Sequence, residues 1–227
     1  LVSYDDAYGM LKLQTTLNSV LFITGLFISS CAPQRFVKPL EKQQQALNAS
    51  LGGVLFDYNG TTIPMPFLTL AYGYGLNETT TGFGALNVTS ALYGNFQFEL
   101  GLTKQIVKQR EFQPAVCITP VANIIYRNSD ARKLYPQLAV STYWEYGKHN
   151  DLIYLSLDNW FELSRKKANN EKQENHMLFM PAIGHSFQRT KHCFNTEFRI
   201  VAPNLSNEGL VIDYKTPLRT HGACALF

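Results

Sequence analysis

A two-residue rhythm of polarity, repeated along most of the chain, limits what it can fold into. In Phe96-Gln97-Phe98-Glu99-Leu100-Gly101-Leu102-Thr103 apolar and polar or small residues alternate. Ile153, Leu155, Leu157, Phe161 and Leu163 oppose Tyr154, Ser156, Asp158 and Glu162. Leu138, Val140, Trp144 and Tyr146 oppose Gln137, Ser141 and Glu145, and Phe194, Phe198 and Ile200 oppose Asn195, Glu197 and Arg199. Leu47, Leu51 and Leu55 oppose Gln44, Asn48 and Ser50. Successive side chains of a strand point to opposite faces, so this rhythm builds strands with two unlike faces. No long amphipathic helix is legible beyond residue 43.

Ten segments read as strands: 44–56, 66–76, 80–92, 95–106, 113–126, 136–146, 151–163, 176–189, 193–202 and 217–227. Their length suits a tilted strand crossing a bilayer, which takes about 9–11 residues. Long connections follow the first, fifth, seventh and ninth strands, at 57–65, 127–135, 164–175 and 203–216. Tight ones follow the second, sixth and eighth, at Asn77–Thr79, Gly147–Asn150 and Thr190–Lys191; the short Tyr93-Gly94-Asn95 after the third breaks the pattern. The alternation of tight turns with long loops resembles outer-membrane barrels, which have short periplasmic turns and longer outer loops. The expected fold is all-β: an antiparallel up-and-down transmembrane β-barrel of about ten strands, with eight as the alternative. Both ends of the barrel domain then fall on the short-turn side.

Alternation does not say which face points inward, and a soluble lipocalin-like barrel binding an apolar ligand has the same period. Three features favour lipid outside. Lysine and arginine gather in connections such as Lys108-Gln109-Arg110 and Ser164-Arg165-Lys166-Lys167, where a wetted exterior would scatter them along strands. Aromatic residues of the apolar face lie near strand ends, at Tyr72, Tyr74, Tyr126, Trp144, Tyr146, Phe161 and Phe194, as interfacial girdles require. The terminal Phe227 resembles the C-terminal aromatic of outer-membrane barrels, although His221 and Arg219 depart from that pattern. His185 and Asn159, which alternation assigns to the apolar face, count against lipid outside.

Upstream, Val20 to Ile28 runs VLFITGLFI without a charge, preceded by Met10 and Lys12 and followed by Ser29-Ser30-Cys31. An apolar core this short, with a positive flank and small residues behind it, has the anatomy of a signal segment. Ile28-Ser29-Ser30-Cys31 resembles the lipobox of bacterial lipoproteins, with isoleucine where leucine is commonest. The resemblance implies cleavage before Cys31 and lipidation of that residue, whose several acyl chains make a stable anchor. Asp5 and Asp6 do not suit a positive n-region. The expected organisation is therefore an upstream extension at 1–9, a lipoprotein signal peptide at 10–30, a polar tether at 31–43 and a barrel domain at 44–227. The expected location is the bacterial outer membrane, with membrane lipid and the lipoprotein-processing and barrel-assembly machineries as partners and any surface ligand unnamed.

In such a barrel Glu99, Glu145, Asp158, Glu162, Glu197 and Arg199 point into the lumen as a polar network. Structural packing is the simpler role for them; five acids to one arginine would alternatively make a cation-preferring passage. Cys193 and Cys224 both fall in the last two strands and are close enough to pair, unpaired buried thiols being the reading favoured. No CxxC pair, metal-ligand spacing, phosphate loop, GxSxG or HExxH occurs, and no cofactor is expected. Some small outer-membrane barrels act on lipid acyl chains with a histidine and a serine. Here His185 and Ser186 are adjacent and so face opposite sides of a strand, and the expectation is a non-enzyme. A net charge of +3 without a basic stripe argues against nucleic acid.

Overall fold

The computed structural model describes residues 36–127, 132–166, 172–207 and 214–227. The expected extension, signal segment and lipidated Cys31 lie outside these residues.

Among the described residues eleven strands form: β1 (Gln45–Tyr58), β2 (Thr61–Pro64), β3 (Phe67–Asn77), β4 (Thr80–Asn87), β5 (Asn95–Val107), β6 (Ala115–Arg127), β7 (Arg132–Tyr146), β8 (Asp151–Phe161), β9 (Met177–Gln188), β10 (Cys193–Ser206) and β11 (His221–Leu226). From β3 to β11 each pairs antiparallel with the next, β3 also pairs with β1, and β11 returns to β1. Ten strands thus close an up-and-down barrel, while β2 extends the first strand as a hairpin. The β1–β2 turn is Asn59-Gly60, both with positive φ, which matches the twist of a two-residue hairpin. This hairpin occupies part of the expected loop 57–65.

The strand boundaries differ from expectation where a local polar contact competes with the ladder. The third expected strand stops at Asn87, whose side chain accepts from the Ser90 amide at 2.9 Å and caps a short helix, Val88–Leu92. The expected loop 127–135 contracts because β7 begins at Arg132. The tenth expected strand begins later than read, at His221, and β10 runs on to Ser206.

The barrel is polar inside and apolar outside. Gln97, Glu99, Thr103, Thr119, Asn123, Ser141, Ser156, Asp158, Glu197 and Arg199 are buried, whereas Phe98, Leu100, Leu102, Leu138, Val140, Ile153, Leu155, Leu157, Ile183 and Phe198 are exposed on the outer wall. In a soluble barrel with an apolar interior those two sets would exchange places. Two large inner rings lie over a glycine of the neighbouring strand, Phe83 of β4 over its partner Gly101 and Tyr154 of β8 over its partner Gly184. A Cβ on Gly101 would strike the ring of Phe83, and one on Gly184 the ring of Tyr154.

Apolar side chains pack against the inner wall toward both ends of the barrel. At the long-loop end Tyr214 packs with Val54, Ala223 and Ala225, backed by Phe56, Val201 and Phe227. At the short-turn end residues 36–41, expected to belong to a free tether, are folded inside the wall. Phe36 packs at a tilt against Phe83, 5.9 Å between ring centres, and fills the space over Gly73. Val37 packs against Ala115, Cys117, Tyr143, Leu152 and Tyr154. The Leu40 amide donates to Thr81 Oγ1 at 2.7 Å, and Gln43 and Gln44 exchange backbone bonds with Gly75. The segment is mostly apolar where it enters, and the first halves of β6 and β8 supply a matching apolar floor.

Candidate functional site

The lumen network is centred on Arg199, a fully buried guanidinium on β10. Nη1 meets Asp158 Oδ2 of β8 at 2.6 Å, Nη2 meets Glu197 Oε1 at 2.9 Å, and Nε donates to the same oxygen at 3.0 Å. Tyr154 donates its hydroxyl to the other oxygen of Glu197 at 3.0 Å. Glu197 and Arg199 lie two apart on one strand and so share its inner face, and strand pairing brings β8 within reach through β9. A planar fork with two carboxylates in a water-poor interior is the arrangement in which arginine is favoured over lysine.

Of the six residues assigned to the lumen from sequence, Asp158, Glu197 and Arg199 come together in direct ion pairs. Glu99 is buried on β5 and adds a further negative charge near Asp158. Glu145 and Glu162 belong to opposite ends of the barrel. Glu145, at the short-turn end, receives Lys38 Nζ at 2.8 Å and so holds the 36–41 segment in place. Glu162, just beyond β8 at the long-loop end, lies 3.7 Å from Lys133 and accepts from the Ser164 amide at 2.7 Å. Burial alone would raise the Glu162 pKa, but the Ser164 hydrogen bonds and the Lys133 charge outweigh it and hold the carboxyl below its usual range. Residues 36–41 were not legible as part of the site, since a short proline-bearing stretch that mixes apolar and charged residues has no periodicity.

The two residues at odds with an apolar exterior each have a local partner, although His185 Nδ1 is buried without one among the described residues. Asn159 donates to the Leu138 carbonyl on the neighbouring strand at 3.3 Å. His185 Nε2 is bonded to the Tyr146 hydroxyl, and its ring lies 4.1 Å from that of Phe187. Trp144, close by, donates its indole N–H to the Phe112 carbonyl at 3.1 Å. Tyr146, Trp144 and Phe187 thus gather near the short-turn rim with their polar atoms bonded, as rings at a water–apolar boundary do.

Ser186, on the inner face of β9, is 2.9 Å from Cys193 Sγ and accepts from Gln188 Nε2 at 2.8 Å, pointing away from His185. Cys117, Cys193 and Cys224 are all free, so Cys193 and Cys224 are not joined. Cys193 is moreover exposed, because β11 does not cover the first residues of β10. Among the described residues no group of three or more His, Cys, Asp or Glu is placed to hold a metal ion.

A cavity of about 1030 Å³ opens at the short-turn end, between residues 36–41, the first half of β1 and the β9–β10 turn, with Tyr154 and Glu197 at its inner side. Fold and site together define a closed ten-stranded barrel with a charged, plugged interior and an apolar outer wall. Compared with protein families, curated proteins and solved structures, the chain matches none.

Proposed function

We propose that this chain is an integral outer-membrane β-barrel protein, delivered as a lipoprotein through Cys31, with a structural or surface-binding role. The observation that carries the membrane reading is the inverted polarity of the wall: Arg199 and Glu197 are buried inside while a band of leucine, isoleucine and phenylalanine faces outward. In water such a band is a very large exposed apolar surface; in a bilayer it is the matching solvent. A closed ladder of backbone hydrogen bonds is also what a β protein needs in order to enter hydrocarbon.

The narrowing of the lumen by residues 36–41 and by the Arg199 ion pairs supports a structural or binding role over an open conduit. Residues 36–41 occupy one end and Tyr214 the other, with Arg199 bridging β8 and β10 between them. Planar-bilayer recording is expected to show no steady conductance, and a persistent cation-selective current would restore the passage reading. The membrane reading itself is tested by extraction: the protein should require detergent after its lipid anchor is removed. Release into buffer would overturn it. Mass spectrometry of the mature N-terminus tests Cys31 separately, and an unmodified end elsewhere would remove the lipoprotein part alone.

A further inference from the structure

The wall has a weak place, and it coincides with the cavity. From β1–β3 round to β9–β10 neighbouring barrel strands pair over seven residues or more, as β4 and β5 do from Thr80↔Lys104 to Leu86↔Phe98, and β10–β11 pairs at five positions. The seam between β1 and β11 has two paired positions, Gly53↔Leu226 and Val54↔Ala225. On the short-turn side of that seam no described strand lies between residues 45–51 of β1 and residues 193–196 of β10. The cavity opens through this notch.

The lips of the notch are apolar and unusually bare: Leu47 is 86% exposed, Phe194 69% and Leu51 66%. The interior behind them is polar, with Ser186, Gln188 and the Tyr154–Glu197 pair. Cations stand at the rim. Arg189, on the β9–β10 turn, reaches Asp151 at 3.3 Å, while the neighbouring Lys191 meets no carboxylate among the described residues. An occupant therefore needs apolar chains for the lips, polar acceptors for the strand edges and a negative charge for the rim. A cavity of this volume is of the size that holds a ligand of several tens of atoms.

We propose that the notch is a lateral binding site for one anionic phospholipid of the surrounding bilayer. Its acyl chains lie against Leu47, Leu51 and Phe194, and its phosphate lies at Arg189 and Lys191. The glycerol ester and phosphate oxygens accept from backbone amides that the short seam leaves facing the notch, which hydrocarbon alone would leave unsatisfied. The site rests on the membrane reading above and adds a lipid headgroup preference to it.

The test uses the full chain in vesicles of phosphatidylethanolamine and phosphatidylglycerol, with phosphatidylglycerol carrying a photoactivatable acyl chain as probe. Adducts should concentrate on peptides covering residues 45–51 and 193–196, at about tenfold the yield per exposed area found at Leu100 and Leu155, equivalent to ~1.4 kcal/mol of preference. Lys191→Glu should lower the notch adducts and leave the rest of the belt unchanged. Equal labelling around the belt would overturn the site while upholding the membrane barrel. Notch labelling that is equally strong with a phosphatidylcholine probe and indifferent to Lys191→Glu would overturn the anionic preference. Absence of adducts from the whole belt would instead sink the membrane reading.

Discussion

Removing the guanidinium of Arg199 should be among the most damaging single changes in the barrel. The side chain makes three charge-assisted contacts, at 2.6 Å to Asp158 and at 2.9 and 3.0 Å to Glu197, with Tyr154 completing the Glu197 shell. Arg199→Met keeps most of the volume but takes away the cation that bridges two carboxylates in a water-poor interior. Breaking a buried pair from one side costs about 3–5 kcal/mol, most of it the charge left behind. Against a typical stability of about 5–15 kcal/mol, that is a large share. The assay is urea unfolding in detergent micelles, followed by the fluorescence of the two tryptophans, of which Trp160 is buried near the network on β8. Combining Arg199→Met with Asp158→Asn and Glu197→Gln should recover most of the loss, because the two carboxylates that Arg199 bridges no longer carry charge. A single Arg199→Met variant within about 1 kcal/mol of the parent, the value of a surface pair, would refute the reasoning. So would a combined variant no better than the single one.

Other parts of the molecule make smaller and independent predictions. Leu155→Arg, on the outer wall, should destabilise the protein in vesicles by about 2–4 kcal/mol if that face meets hydrocarbon near the midplane; an unchanged unfolding midpoint would count against lipid there. Tyr146→Phe removes the partner of His185 on the apolar face and should cost about 1–3 kcal/mol in the same measurement, and a neutral result would mean that water already reaches His185. Gly184→Ala drives a methyl into the Tyr154 ring and should cost about 1–3 kcal/mol in the same measurement, and Tyr154→Phe should leave most of that cost in place because ring carbon Cζ is the nearest atom. The depressed pKa of Glu162 stabilises the fold fully above the unfolded carboxyl's 4.5 and less as pH falls through the lower folded value. The stability gap between the parent and Glu162→Gln should therefore close on acidification, and a gap independent of pH would show that Lys133 and Ser164 do not hold the charge.

Much of the fold was legible because one signal repeats. A period of two, read over stretches as long as Phe96–Thr103, assigns each residue to a face without knowledge of its neighbours. That Glu99, Asp158, Glu197 and Arg199 lie on the polar face, all buried in the structure, followed from it, whereas the side to which that face turns did not. Signals that compete with the period were harder to weigh. Asn87 ends β4 by capping a short helix, although Val88 to Leu92 are as compatible with a strand. Asn59-Gly60 is a hairpin turn that stood in plain view inside an apparent loop. Glu145 and Glu162 share the inward parity of Asp158, but parity carries no height along the barrel, and they lie at opposite ends.

By itself, then, the sequence determined the strands, their order, and which residues share a face, since these follow from local geometry and short connections. Three things only the tertiary structure decided. Closure turned the charged face inward, because the register of all ten strands must be met at once. Ion pairing joined Arg199 to Asp158 through strands far apart in sequence. And residues 36–41 became part of the interior because Gly73 and Gly75 leave room on one wall for Phe36 and the backbone of Glu41. The polar and apolar positions are thus local information, while the lumen, its plug and the notch beside it exist only once the two ends of the sheet meet.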